Sequence, residues 1–173
     1  MIIDLERRIN QFYFSKKVFR PTDISLYVWD DIVPIRIIHR NGNGSTQAYT
    51  IKNLRYVFLD RTKPLPTRRV EIAHEIGHAI LHCGNQLQVD ITWRLKQEWQ
   101  AQQFAFAALT PAHMVYPMIH VGDRCDRLSF ELAETFCVPV EFMASRLDDL
   151  RGRVEMMCMD HVAEKIEDYV FMR

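Results

Sequence analysis

The stretch Val70-Glu71-Ile72-Ala73-His74-Glu75-Ile76-Gly77-His78-Ala79-Ile80-Leu81-His82 constrains this chain more than any bulk property does. On a helix, His74 and His78 lie on one face, one turn apart. Both imidazoles can then reach one ion at the roughly 2.0–2.1 Å of zinc–nitrogen bonds. Glu75 falls about 100° round the helix from His74. That places it beside the ion rather than on it, where a general base for a bound water belongs. Ile72, Ala73, Ile76, Ala79 and Ile80 take the opposite side, giving an apolar back for a core and a polar front for a cleft. Gly77 costs such a helix about 1 kcal/mol relative to alanine. Its presence predicts close approach of another backbone on the flank of the histidine face.

Two histidines leave zinc short of ligands, since a catalytic site uses three protein ligands and one open position. A histidine six residues after His78 would complete the set, but position 84 is glycine. His82 lies one further turn along. A straight helix would not let it converge with His74 and His78, so a role beside the ligands or on the surface is expected for it. The next helical segment, Gln97-Glu98-Trp99-Gln100-Ala101-Gln102-Gln103-Phe104-Ala105-Phe106-Ala107-Ala108-Leu109, offers Glu98. Ala101, Ala105 and Ala108 continue its stripe and would let two helices pack closely. On spacing alone Glu98 reads equally as a third ligand or as a solvated charge.

The remainder places this helix in an α+β chain. Residues 1–18 read as a helix with Ile3, Ile9, Phe12 and Tyr13 on one face, ended by Pro21-Thr22. Ile24–Trp29, Pro34–His39, Gln47–Ile51 and Arg55–Leu59 read as short strands of a small, mostly antiparallel sheet, with a turn at Asn41-Gly42-Asn43-Gly44. After Pro64 and Pro66, Thr67 can cap a helix that runs through His82, with Gly84 placed to end it. Further helices are expected over Trp93–Leu109, Ser129–Leu150 and from Val154 onward. The expected division is a metal-site domain over 1–125 and a helical segment over 126–173 packed on it.

Composition narrows the class. Among 173 residues, 48% are apolar and the formal net charge is zero. A core is expected, whereas a protein built to grip phosphate backbones needs a basic face. The longest apolar run, Phe104–Leu109, is far short of the roughly 20 residues of a membrane span. Met1–Glu6 carries Asp4 and Glu6 and no sustained apolar stretch, so no export signal is expected. Cys83, Cys125, Cys137 and Cys158 form no close pair and are expected as free thiols in a reducing cytoplasm.

The run from His74 to His82, followed by Gln97-Glu98-Trp99-Gln100-Ala101 and Leu109-Thr110-Pro111, resembles the ImmA/IrrE family of metallopeptidases over roughly residues 55–150. The resemblance implies a zincin-like fold with a small sheet ahead of the active-site helix. It implies a gluzincin-like site in which His74, His78 and Glu98 hold zinc and Glu75 is the general base. It also implies a substrate class: a repressor or other DNA-binding regulator, whose cleavage relieves repression in a bacterium or on a mobile element such as a phage. Within that mechanism a tetrahedral oxyanion needs a further donor. His113, Tyr116 and His120 are chemically suitable, and the sequence does not choose among them.

The segment Ser129–Leu147 has helix-turn-helix character, with Leu132, Ala133 and Phe136 before Cys137-Val138-Pro139, and Phe142, Met143 and Leu147 after. A helix reading DNA should present basic and amide groups. This one offers Glu141, Ser145, Arg146, Asp148 and Asp149, so packing on the core or gripping a protein is expected. Met156, Met157 and Met159, with Val162 and Ile166, read as core or as an adaptable partner surface. The alternatives to a peptidase are a zinc-containing regulator and a non-catalytic interaction module, with direct DNA binding less expected.

Overall fold

The computed structural model describes residues 2–42, 46–51, 54–82, 90–120 and 125–171, with side chains from residue 4 to residue 156 of these save 47, 50, 51 and 125. Gly84, Cys83 and the end of the Asn41–Gly44 turn lie outside the described residues, as do the side chains of Ile3, Met157, Met159, Val162 and Ile166. At Gly42 the backbone takes φ +137°, which favours glycine.

Helix α1 spans Ile2–Ser15. Ile9 and Tyr13 are buried and Leu5 and Phe12 pack against the core, at the spacing of one helical face. The helix ends where Lys17 turns to φ +58°, and the N–H of Val18 returns to the carbonyl of Tyr13 at 2.9 Å. Ile24–Trp29, expected as a first strand, instead follows one 3-10 turn, Pro21–Asp23, and enters a second, Leu26–Asp31. Its apolar pattern serves inward packing rather than strand pairing. Trp29 is buried, with its ring stacked on Phe12 at 4.5 Å and edge-on to Phe104 at 4.9 Å.

The sheet has three strands: β1 (Ile35–Arg40), β2 (Gln47–Ile51) and β3 (Leu54–Asp60), in the order β1-β3-β2. The expected antiparallel pairing holds for β2 and β3, with Gln47 opposite Phe58. β1 runs parallel to β3, Ile35 opposite Arg55, so the sheet is mixed. Arg55, Val57 and Leu59 alternate onto one face of β3, and Val57 and Leu59 are fully buried.

Helix α2, Leu65–Leu81, begins two residues before Thr67, at the cap Pro64. A proline in the first turn lacks only an N–H that would have had no partner there. Ala73 and Ile76 face the core, with Ile72 and Ile80 packed at its edge. Helix α3 spans Ile91–Leu109, capped by Asp90, whose carboxylate accepts from the N–H of Thr92 at 2.8 Å. Ala101, Ala105 and Ala108 are fully buried, as the small-residue stripe predicts.

After the short helix α4 (Ala112–Val115), α5 (Cys125–Phe136) and α6 (Val140–Phe171) form the expected pair about Cys137, at φ +53°. Helix α6 continues through the break expected near residue 150. Leu132, Phe136, Met143 and Leu150 are buried, and the Phe106 and Phe142 rings meet at 4.9 Å. Each such apolar side chain contributes about 1.5–3 kcal/mol through burial. Cys137 is a free thiol. No described helix is long and apolar enough to cross a membrane.

Candidate metal centre

Three elements build the centre. Helix α2 presents His74, Glu75 and His78, α3 brings up Glu98, and β3 supplies Arg55. The approach of α3 is set at Gly77. A Cβ there would lie 3.0 Å from the Cβ of Phe104 and 3.1 Å from both Cα and O of Ala101. Glycine therefore lets the α3 backbone come close enough for Glu98, three residues before Ala101, to reach the histidines. This is the close approach that Gly77 predicts.

The three groups converge. His74 Nε2 lies 3.0 Å from His78 Nε2 and 3.1 Å from Glu98 Oε2. His78 Nε2 lies 3.5 Å from Glu98 Oε1. Ligand atoms sharing a tetrahedral ion at roughly 2.0–2.2 Å lie about 3.3–3.5 Å apart. The observed spacings match that requirement to within a few tenths of an ångström, and the donor set of two imidazoles and a carboxylate suits zinc. The side chain of His78 is 4% exposed and that of Glu98 50% exposed, so the cluster has a buried floor and an open side. Burial, reinforced by the neighbouring His74 and opposed by Glu98, pushes His78 down to about 4. Its ring is then neutral at neutral pH, the form that can offer a lone pair to a metal.

Glu75 sits beside this cluster in a salt bridge with Arg55, Nη2 to Oε2 at 2.7 Å, with both side chains largely withdrawn from water. One turn earlier Glu71 accepts from the Thr46 hydroxyl at 2.6 Å and pairs with Lys63. The polar front of α2 is thus clamped to the strand region through two carboxylates. The spacing of the α2 motif carries no signal for Arg55, but the strand does. Strand alternation puts it on the same face as Val57 and Leu59, and an arginine on a core-facing register requires a carboxylate partner.

None of the candidates for a further donor is one of the three converging groups. His113 Nδ1 pairs with Asn10 Oδ1 at 2.9 Å, and its ring packs against Phe14 of α1. Tyr116 lines a hollow of about 410 Å³ with Leu128, Leu147 and Leu150, on the α5–α6 side. His120 is exposed in the segment after α4. His82 does not join the three converging atoms. Its ring contacts His78 from the other side, Nδ1 to Nδ1 at 3.1 Å.

Residues 32–148 match the family described as the IrrE N-terminal-like domain, Peptidase_M78. The match spans β1 through α5 and the start of α6, and includes every residue of the cluster. The chain is also 32% identical over 97 residues to the phage-like element PBSX protein XkdA of Bacillus subtilis (strain 168), a stretch covering 56% of this chain and 48% of that relative. The match thus spans about half the length of that curated relative.

Proposed function

Since the chain belongs to the IrrE N-terminal-like, Peptidase_M78 family, we propose that it is a zinc-dependent endopeptidase whose substrate is a repressor-type, DNA-binding regulatory protein. The observation that carries this reading is the convergence of His74, His78 and Glu98, with Glu75 adjacent on the same helix. His74, His78 and Glu98 would hold the ion. When bound, zinc supplies Lewis acidity toward water and toward a peptide carbonyl.

The remaining work falls to the side chains. Glu75 takes the proton of the attacking water and returns it to the departing amine nitrogen, a general base and then a general acid. Arg55 orients the Glu75 carboxylate through the 2.7 Å contact. The half-exposed Glu98 leaves the open side of the cluster accessible to a peptide. The likeness to a protein of a phage-like element supports a regulator of such an element as the substrate. We place this activity in the cytoplasm, where such a regulator works. Direct DNA binding through α5 and α6 is not part of this reading: Arg146 turns fully inward, while Glu141 and Asp148 face solvent.

The test joins metal content to cleavage of a co-encoded repressor, for wild type, Glu75→Gln and His78→Ala. We expect about one zinc per chain in wild type and Glu75→Gln, little in His78→Ala, and cleavage by wild type alone. Cleavage by Glu75→Gln would overturn the assignment of the base. Zinc binding without cleavage in the presence of the repressor would favour a non-catalytic interaction module.

A further inference from the structure

The geometry points to His82 as a positioning residue for His78, anchored by Gln100, so that a His78–His82–Gln100 chain of hydrogen bonds keeps the His78 Nε2 lone pair aimed at the centre. This inference rests on the metal-site reading above and assigns roles to two residues outside the ligand set.

His82 lies one turn beyond His78, at the very end of the helix. It is the C-cap of α2, with extended backbone at φ −127° and ψ 124°, and its N–H bonds to the carbonyl of His78 at 3.1 Å. At that spacing its ring lies against the His78 ring, centroids 5.2 Å apart. The contact is Nδ1 to Nδ1 at 3.1 Å, on the edge of the His78 ring opposite Nε2. The far nitrogen of His82, Nε2, lies 3.0 Å from Gln100 Oε1. Gln100 stands two residues after Glu98, so α3 supplies both the third candidate ligand and the anchor of the chain.

Proton bookkeeping along these contacts has one solution when Nε2 of His78 faces a metal. That nitrogen must then be bare, so the ring proton sits on Nδ1 and is donated to His82 Nδ1. His82 Nδ1, accepting, is bare in turn, so the proton of His82 sits on Nε2 and is donated to Gln100. Gln100 must present an oxygen there, and Oε1 is the atom in contact. Neutral imidazole otherwise divides between two tautomers, one of which blocks Nε2. The chain removes that choice and fixes the ring's rotation, the service that hydrogen-bond partners behind a ligating histidine commonly perform.

The experiment is zinc competition against a chromogenic chelator, on the full chain. The variants are wild type, His78→Ala, His82→Leu, His82→Gln and Gln100→Leu, with urea unfolding of each zinc-free form. A glutamine at 82 can accept from His78 through its oxygen and donate to Gln100 through its amide. We expect His82→Leu to weaken zinc binding about 10–100-fold, Gln100→Leu to weaken it less, and His82→Gln to restore most of the loss. Zinc-free urea midpoints should not follow that order. Wild-type affinity in His82→Leu would overturn the chain of bonds, as would equal weakness in His82→Gln and His82→Leu. Should His82→Leu not fold, nitrogen-15 spectra of zinc-loaded wild type decide: a protonated His78 Nδ1 supports the proposal, and a bare one refutes it. Wild type binding no tighter than His78→Ala would instead remove the metal site itself, a distinct failure.

Discussion

A carboxylate that takes and releases a proton in one turnover has to be held in place without being smothered. At Glu75 the holding is done by Arg55, at 2.7 Å and mostly shielded from solvent. Removing the guanidinium leaves Glu75 free to rotate and leaves a shielded carboxylate short of a partner. Arg55→Met keeps the apolar stem and tests this. We predict unchanged zinc content and a loss of stability of about 1–3 kcal/mol. Single-turnover cleavage should fall at least about tenfold, part of the 10²–10⁴ that a positioned base contributes. Cleavage at the wild-type rate would reduce Arg55 to a strut between β3 and α2. The two carboxylates on α2, a turn apart, thus differ in their partners: Glu71 with Lys63 and Thr46 ties the helix to the strand region, and Glu75, the proposed base, pairs with Arg55.

At the scale of elements, the centre depends on how closely α3 lies on α2. The side chain absent at Gly77 sets that distance, and the buried alanines of α3 accommodate it. Gly77→Ala is therefore a structural test with a functional readout. Alanine favours the helix by about 1 kcal/mol. Its Cβ, however, would meet α3 backbone at 3.1 Å, and backbone yields only if the helices separate. Such overpacking typically costs 1–3 kcal/mol, so we predict a net loss of roughly 1 kcal/mol in urea unfolding. Separation also withdraws Glu98 from His74, so zinc affinity should drop together with stability. A variant that is stabilised and binds zinc normally would show that the helices can move apart without cost to the centre.

At the scale of the whole molecule, a buried ionic network joins the first helix to the last. Glu6 of α1 accepts from the Arg146 and Arg153 guanidiniums of α6 and from the N–H of Ala112 at 2.8 Å. Asp149 balances both arginines at 2.8 Å, and Gln103 of α3 accepts from Arg153 at 2.9 Å. Burial alone would raise the Glu6 carboxyl. The Arg146 charge, the Ala112 N–H and Arg153 together outweigh burial and hold the group below its ordinary 4.5. The native state then binds this proton less readily than the unfolded chain does. The contribution of Glu6 is fully present above about pH 4.5 and is lost as pH falls through the lower native value. Glu6→Gln leaves Arg146 buried and undercompensated, and we predict a loss of about 3–5 kcal/mol near neutral pH. The gap in urea midpoints between wild type and Glu6→Gln should narrow as pH falls from 7 toward about 3. A gap independent of pH would mean that shape, not charge, is what Glu6 supplies.

The sequence by itself determined the elements whose signal is local. The helix of α2, its apolar back of Ala73 and Ile76, and the one-face placement of His74 and His78 follow from the 3.6-residue period alone. So does the buried stripe Ala101, Ala105 and Ala108. A local period cannot report which surface an apolar run packs against. Ile24–Trp29 therefore reads as a strand, although its side chains plug the core from 3-10 turns, with Trp29 wedged between Phe12 and Phe104. The pairing of β1 parallel to β3 is equally invisible, because strand direction is set by the connection and by what the sheet packs on. Only the tertiary structure decided that Glu98, left open by its spacing, meets His74 and His78, since the distance between two helices is fixed by packing at Gly77. Only it could bring Arg55 to Glu75 and Gln100 to His82, because those contacts join residues whose proximity depends on the assembled helices and sheet, not on their order in the chain.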